Sequence, residues 1–304
     1  MKRGSRVLVT GLLLSTPGCS DSTGPLLGPE ELCGSQENAV AAFADPNLEA
    51  KVRTALGLAS GDALTCERVT SLESLPANAG GITSLAGAQN LIGLDELLLA
   101  GNSISDVSAL SGLTGLELLD LRENSITDIS ALSGLSSLIG LTLSRNSVSD
   151  VSPLGGLTGL QVLGLDHNSI SDISPLAGLT GMLRLVLFNN SITGITPLSG
   201  LTGLNLLDLG ENTVGEFSPL SGLTTLAVLG LDGTSISDLG PLTGLTFLTT
   251  LVLDNNNALT DIQPLIDNAG LGREDTVSLN GTNVRCEDIA LLEANGVTVI
   301  SECP

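Results

Sequence analysis

Between Ile82 and Leu265 the apolar positions repeat with a period of 22 residues. One unit, from Leu116, reads LELLDLRENSITDISALSGLSS, and the next, from Leu138, reads LIGLTLSRNSVSDVSPLGGLTG. The phase holds through Asn102, Asn124, Asn146, Asn168, Asn190 and Asn212, then Thr234 and Asn256, after which one residue is inserted. The alternation in Leu119-Asp120-Leu121 predicts a short strand with both leucines pointing inward and the residue between them outward. The asparagine ends the strand, and its amide can serve backbone donors and acceptors of neighbouring units. Ile104, Ile126, Val148, Ile170, Ile192, Val214 and Ile236 fill the core beyond that turn. The prolines Pro153, Pro175, Pro197, Pro219, Pro241 and Pro264 suit the start of a helical turn, where no N–H is needed. The glycine column from Gly112 to Gly244 is expected to permit a tight return to the next strand. So few residues remain on the return side that 3-10 turns are predicted there. A unit this short cannot bury its own apolar face, so the units must stack.

The consensus, L-x-x-L-x-L-x-x-N-x-I-x-D-I-x-P-L-x-G-L-x-x, resembles the leucine-rich repeat in its short 22-residue form, as found in bacterial internalin-like proteins. The resemblance covers about two-thirds of the chain. It implies a leucine-rich-repeat solenoid of the α/β horseshoe type, with a parallel sheet on the concave face and a helical cap before the repeats. Such a fold does not by itself carry a function.

The flanks read differently. Residues 1–19 combine Lys2, Arg3 and Arg6 with a short apolar run, Val7–Leu14, and end at Cys19. This pattern resembles a signal peptide with a lipoprotein-type cleavage site, which would make Cys19 a lipidated N-terminus; ordinary cleavage nearby is the alternative. Residues 20–36 are expected to be a tether, 37–81 an N-terminal cap, 82–265 the repeats and 266–304 a mixed C-terminal cap. Within the first cap, Asp45 as N-cap, Pro46 at the first position and Gly57 as the stop predict one helix. Of the five cysteines, Cys33 and Cys66 belong to the N-terminal side and Cys286 and Cys303 to the C-terminal side. Eight or so units at ~4.8 Å each hold the two ends roughly 40 Å apart. A disulfide needs Cα atoms within about 7 Å, so the pairs expected are Cys33–Cys66 and Cys286–Cys303.

A net charge of −22 disfavours a nucleic-acid partner, which needs clustered Lys and Arg. No phosphate-binding glycine loop and no metal-spaced His/Cys set occurs, so no cofactor and no metal are expected. The column Asp106, Asp128, Asp150, Asp172 and Asp238 admits a calcium reading, but one carboxylate per unit, two residues before Ser or Gly, fits a turn cap better. His167 is the single histidine, and Ser144, Asp166 and His167 fall close together on adjacent strands. A hydrolase would also need a pocket and an oxyanion hole, and the chain is expected not to be an enzyme.

Between Ile82 and Leu265 there is no lysine, and the three arginines, Arg122, Arg145 and Arg184, all fall at concave positions, as does His167. Leu118, Val162, Val186, Phe188 and Leu206 share that face, with Phe188 as its single aromatic. An apolar stripe rimmed by charge marks a binding surface. The competing reading is that Arg122 and Arg145 neutralise Asp120 and Glu123 and that the aliphatics are good strand formers. The function expected is a non-enzymatic module that binds a protein or peptide on the concave sheet, exported and held at a bacterial cell envelope by an N-terminal lipid. A structural or self-associating envelope protein is the alternative.

Overall fold

A computed structural model of the chain describes residues 24–34 and 36–303. Cys19, with the signal segment, lies outside the described residues.

Among the described residues eleven short strands form one parallel sheet in strict chain order. They are β1 (Ser74–Pro76), β2 (Glu96–Leu98), β3 (Leu118–Asp120), β4 (Gly140–Thr142), β5 (Val162–Gly164), β6 (Arg184–Val186), β7 (Leu206–Asp208), β8 (Val228–Gly230), β9 (Thr250–Val252), β10 (Thr276–Ser278) and β11 (Thr298–Ile300). Register follows the repeat: Leu119 faces Leu141, which faces Leu163. On the return side the coils of β1 to β8 close with a 3-10 turn, as at Ser152–Leu154 and Ser174–Gly178, and that of β9 closes with one α-helical turn, Gln263–Ile266. The leucines and isoleucines of the consensus lie between sheet and turns as one continuous buried core. The chain is therefore a leucine-rich-repeat solenoid.

The asparagines hold the coils together. Nδ2 of Asn124 donates to the carbonyls of Leu121 in its own coil, at 3.0 Å, and of Leu99 in the coil before, at 3.0 Å. Its Oδ1 accepts the N–H of Ile104, at 3.0 Å. The same set recurs at Asn146, Asn168, Asn190, Asn212 and Asn256. Thr234 departs from it. Its hydroxyl donates to Leu231 O at 2.7 Å and reaches no group of the preceding coil. The equivalent isoleucine-position residue there, Val214, is 6% exposed, where Ile170 and Ile192 are at 0%.

The aspartate column caps the turns. Oδ1 of Asp106, Asp128, Asp150 and Asp172 each accepts the N–H two residues on, at 2.8 Å. Hydrogen bonds from the backbone and hydroxyl of Ser130 and Ser174 hold Asp128 and Asp172 below the ordinary carboxylate range.

The glycine column behaves otherwise than expected. Gly112 and Gly134 are not left-handed, and a Cβ at either would meet nothing closer than ordinary contact. The left-handed residue is the one before each asparagine: Glu123, Arg145, His167, Asn189 and Glu211 all have φ between 51° and 56°. Only Gly101, Gly233 and Gly281 place a glycine in that column.

At the N-terminal end α1 (Pro46–Ala55) closes the stack, with Asp45 as its N-cap. Asp45 is 4% exposed. Burial alone would raise its pKa, but bonds from the backbone and hydroxyl of Thr83 and the N–H groups of Asn47 and Leu48 outweigh it and leave the carboxyl below its ordinary value. A second short helix, α2 (Cys66–Thr70), follows. Residues 24–34, expected within the tether, instead pack on this cap. Leu27 and Cys33 are buried, Val40 N–H donates to Pro25 O, and Asn90 bonds the backbone of Glu31 and Cys33. The C-terminal cap comprises α3 (Gln263–Ile266), α4 (Cys286–Ala294) and the last two strands. Both expected disulfides form, Cys33–Cys66 with Cα atoms 5.4 Å apart and Cys286–Cys303 with 5.6 Å. Among the described residues no helix is long and apolar enough to cross a membrane.

Candidate functional site

The concave face is set by the outward residues of each strand and the two that follow. In register across it, Leu118 faces Gly140, which faces Val162, which faces Arg184. Gly140 leaves a gap that its neighbour fills: a Cβ there would stand 2.7 Å from Leu118 Cδ2. The result is a shallow apolar depression of about 240 Å³, bounded by Leu98, Leu118, Ile139, Leu141 and Val162. Leu118 is 45% exposed and Val162 39% exposed. Val186, Phe188 and Leu206 are half-buried on the coils beyond.

Two apolar side chains of this face escaped the reading of the sequence. Ile139 and Leu183 occupy the position after the first buried leucine, where other coils carry Asp95, Glu117, Gln161 and Asn205. Both are exposed. An apolar residue in a polar column was the signal that could have found them. Phe247, 69% exposed, stands where Gly93, Gly115, Gly159, Gly181 and Gly203 stand in other coils.

The arginines are partly engaged. Arg122 Nη2 lies 3.0 Å from Asp120 Oδ2, and Arg145 Nε lies 4.0 Å from Glu123 Oε1. This is the neutralising arrangement weighed against binding, and at such exposure each pair is worth little. Arg184 is exposed, and among the described residues no carboxylate lies within ion-pair distance of it.

Ser144, Asp166 and His167 do come together, but in an order that cannot work as a nucleophile and base. Ser144 Oγ donates to Asp166 Oδ1, and His167 Nδ1 sits 3.1 Å from Asp166 Oδ2. The carboxylate stands in the middle, so the imidazole does not touch the hydroxyl whose proton it would have to take. The His167 ring instead leans on Phe188, centroids 5.3 Å apart.

Farther along the sheet the face turns acidic. Asp208, Glu211, Asp232 and Asp254 follow one another, and from residue 185 to residue 272 the chain has no Lys, Arg or His. Burial raises the Asp208 carboxyl above its ordinary range, and the charge of Asp166 adds to it against a bond from Gly210 N–H. Asp232 is raised by burial first, then by repulsion from Asp208, Glu211 and Asp254. Any side chain at Gly210, Gly230 or Gly233 would collide with the carboxylates of Asp232, Asp208 and Glu211, so these acids lie flat across the sheet.

Residues 92–148 match a family model described as leucine rich repeat, and residues 136–178 and 224–267 match one described as leucine rich repeats in two copies. Neither is the model of an enzyme family. No curated protein matches the chain. Among solved structures, internalin C2 from Listeria monocytogenes is 40% identical, with a TM-score of 0.66 over 68% of this chain and 92% of that one. An internalin, InlF, from the same species is 29% identical, with a TM-score of 0.67 over 86% of this chain and 90% of that one. A leucine-rich-repeat protein from Leptospira interrogans, 19% identical with a TM-score of 0.58 over 76% of this chain and 73% of that one, shares the fold. The likeness to internalin C2 spans nearly all of that chain, and the repeat motif, the parallel sheet and the 3-10 turns agree with it: the chain belongs to the internalin-like leucine-rich-repeat family.

Proposed function

We propose that the protein is a binding module that takes a protein or peptide on its concave sheet, exported and tethered to a bacterial envelope through lipid on Cys19. The observation that carries the reading is the set of exposed apolar side chains Leu118, Ile139 and Val162 around one depression on the concave side, with Leu183 exposed on the next coil. A patch of this kind, rimmed by Arg122, Arg145 and Arg184, is what a partner's apolar side chain would cover. Val186, Phe188 and Leu206 extend it, and His167 props the Phe188 ring. Two disulfides fit a chain that matures outside a reducing cytosol. A charge of −22 on every copy opposes the alternative of a self-assembling scaffold.

The test is binding to envelope extract by the mature protein, by Leu118→Glu and by the convex-side variant Asp150→Asn. Loss with Leu118→Glu and retention with Asp150→Asn are expected; the reverse pattern would place the site on the other face. Mass spectrometry of the mature N-terminus decides the anchor, since an unmodified terminus downstream of Cys19 rejects it.

A further inference from the structure

Resting on that reading, we infer that the partner is a cationic, extended protein segment that seats one apolar side chain in the Leu118–Ile139–Val162 depression and runs across the strands towards β9. The argument is one of charge complementarity along the sheet. The depression is the apolar hold. Its own charges are largely spent, because Asp120 is paired with Arg122 and Glu123 faces Arg145. Past it stands Arg184, which repels a basic residue at that point. Beyond Arg184 lie Asp208, Glu211, Asp232 and Asp254, with no cation in the chain from residue 185 to residue 272 to answer them.

These carboxylates are held together against their own repulsion, which lifts Asp232 above its ordinary range after burial has done so first. A lysine or arginine brought by a partner relieves that repulsion, whereas an acidic partner deepens it. Strand spacing turns this into a prediction of sequence. The depression centres on β4, and the acids sit on β7 to β9, so about 14 to 24 Å separate anchor and charge. An extended ligand crossing the strands spans that in roughly four to seven residues at ~3.3 Å each. The partner motif is therefore an apolar anchor, a short uncharged or acidic stretch opposite Arg184, then basic residues four to seven positions on.

Three synthetic peptides test it against the mature protein by surface binding at low and high salt. The first has Leu-Phe followed by lysines at the fourth to seventh positions. The second replaces the lysines with glutamates, and the third replaces Leu-Phe with serines. The lysine peptide is expected to bind about tenfold tighter than either control at low salt, with the gap over the glutamate peptide shrinking as salt screens the charges. The triple variant Asp208→Asn, Asp232→Asn, Asp254→Asn should remove that gap, and Leu118→Ser should remove the gap over the serine peptide. Equal binding of the lysine and glutamate peptides, or no binding of the lysine peptide at millimolar concentration, overturns the inference. The reading of the concave face fails separately: Leu118→Glu and Leu118→Ser would leave capture from envelope extract intact while Asp150→Asn abolished it.

Discussion

The asparagine ladder and the acidic row on the sheet are both columns of polar side chains carried by the same coils, and they are opposite in energetics. Each ladder amide makes bonds to its own coil and to the one before, as Asn168 does with Leu165, Leu143 and Val148, at 3.0, 3.0 and 2.9 Å. Nothing is left over for a ligand. Asp208 and Asp232 have the reverse character: burial works against both charges first, and repulsion from neighbouring carboxylates adds to it. The difference teaches which polar residues the fold consumes and which it leaves at a cost. A buried donor or acceptor that is satisfied stabilises modestly, whereas an unanswered charge is a deficit that a partner can remove.

The largest expected effect comes from breaking the satisfied column. Asn168→Ala removes acceptors and donors from two coils at once and should cost about 1–3 kcal/mol. Denaturant melts of the mature protein measure it, and a variant as stable as its parent would show the ladder to be decorative. On the open face the matching experiment is Phe188→Ala. The ring is half-buried against His167, so about 1–2 kcal/mol of binding should go with it, more than with Arg145→Ala or Arg184→Ala. The arginine variants should act mainly on the association rate. Surface binding kinetics rank them, and Arg184→Ala exceeding Phe188→Ala would show that charge, not the ring, is the anchor.

A smaller effect repairs the column. Thr234 leaves the preceding coil without the bond that the other asparagines make, and Val214 is less tightly enclosed than its counterparts. Thr234→Asn should restore a bond to the Val214 N–H and raise stability by about 0.5–1.5 kcal/mol. A loss of stability in the same melts would mean that the coil has repacked around the hydroxyl and no longer admits an amide.

What the sequence made legible divides along the same line. Strands, 3-10 turns and the ladder could be read from a strict period, both disulfides from the distance between the two ends, and the α1 cap from its own start and stop residues, Asp45, Pro46 and Gly57. The left-handed column could not: Glu123, Arg145 and His167 carry no signature of positive φ, and the geometry of the turn imposes it on them. The packing of residues 24–34 on the cap was hidden because a Pro/Gly-bearing stretch reads as a tether until Asn90 is seen to bond it. On the concave face the individual residues were legible but their relations were not. Ser144, Asp166 and His167 were placed together correctly, while the middle position of the carboxylate depends on side-chain directions that no period encodes. Ile139 and Leu183 stand just before their strands, so the alternation that marks the strand positions does not mark them.

The smallest effect sharpens the comparison through pH. Asp232 has its folded pKa raised above 3.8, by burial and then by Asp208, Glu211 and Asp254. Between the unfolded value and the raised one the folded state binds more protons than the unfolded state, so stability falls as pH rises through that window. The ionised carboxylate therefore destabilises the fold at neutral pH and does not below pH 3.8. Asp232→Asn should raise the melting temperature at pH 7, by less than about 1 kcal/mol in stability because the group is partly open to solvent. Near pH 3 the variant and parent should differ far less. Asp45 gives the opposite sign in the same chain: its pKa is lowered by the bonds of Thr83, Asn47 and Leu48 in spite of burial, so its contribution is present above 3.8 and lost as pH falls through the lowered value. Asp45→Asn should accordingly destabilise at pH 7 where Asp232→Asn stabilises. Thermal melts of both variants at the two pH values check the pair; a stabilising Asp45→Asn or a destabilising Asp232→Asn at pH 7 would mean that the cap and the concave row do not differ in the way their hydrogen bonds and charges require.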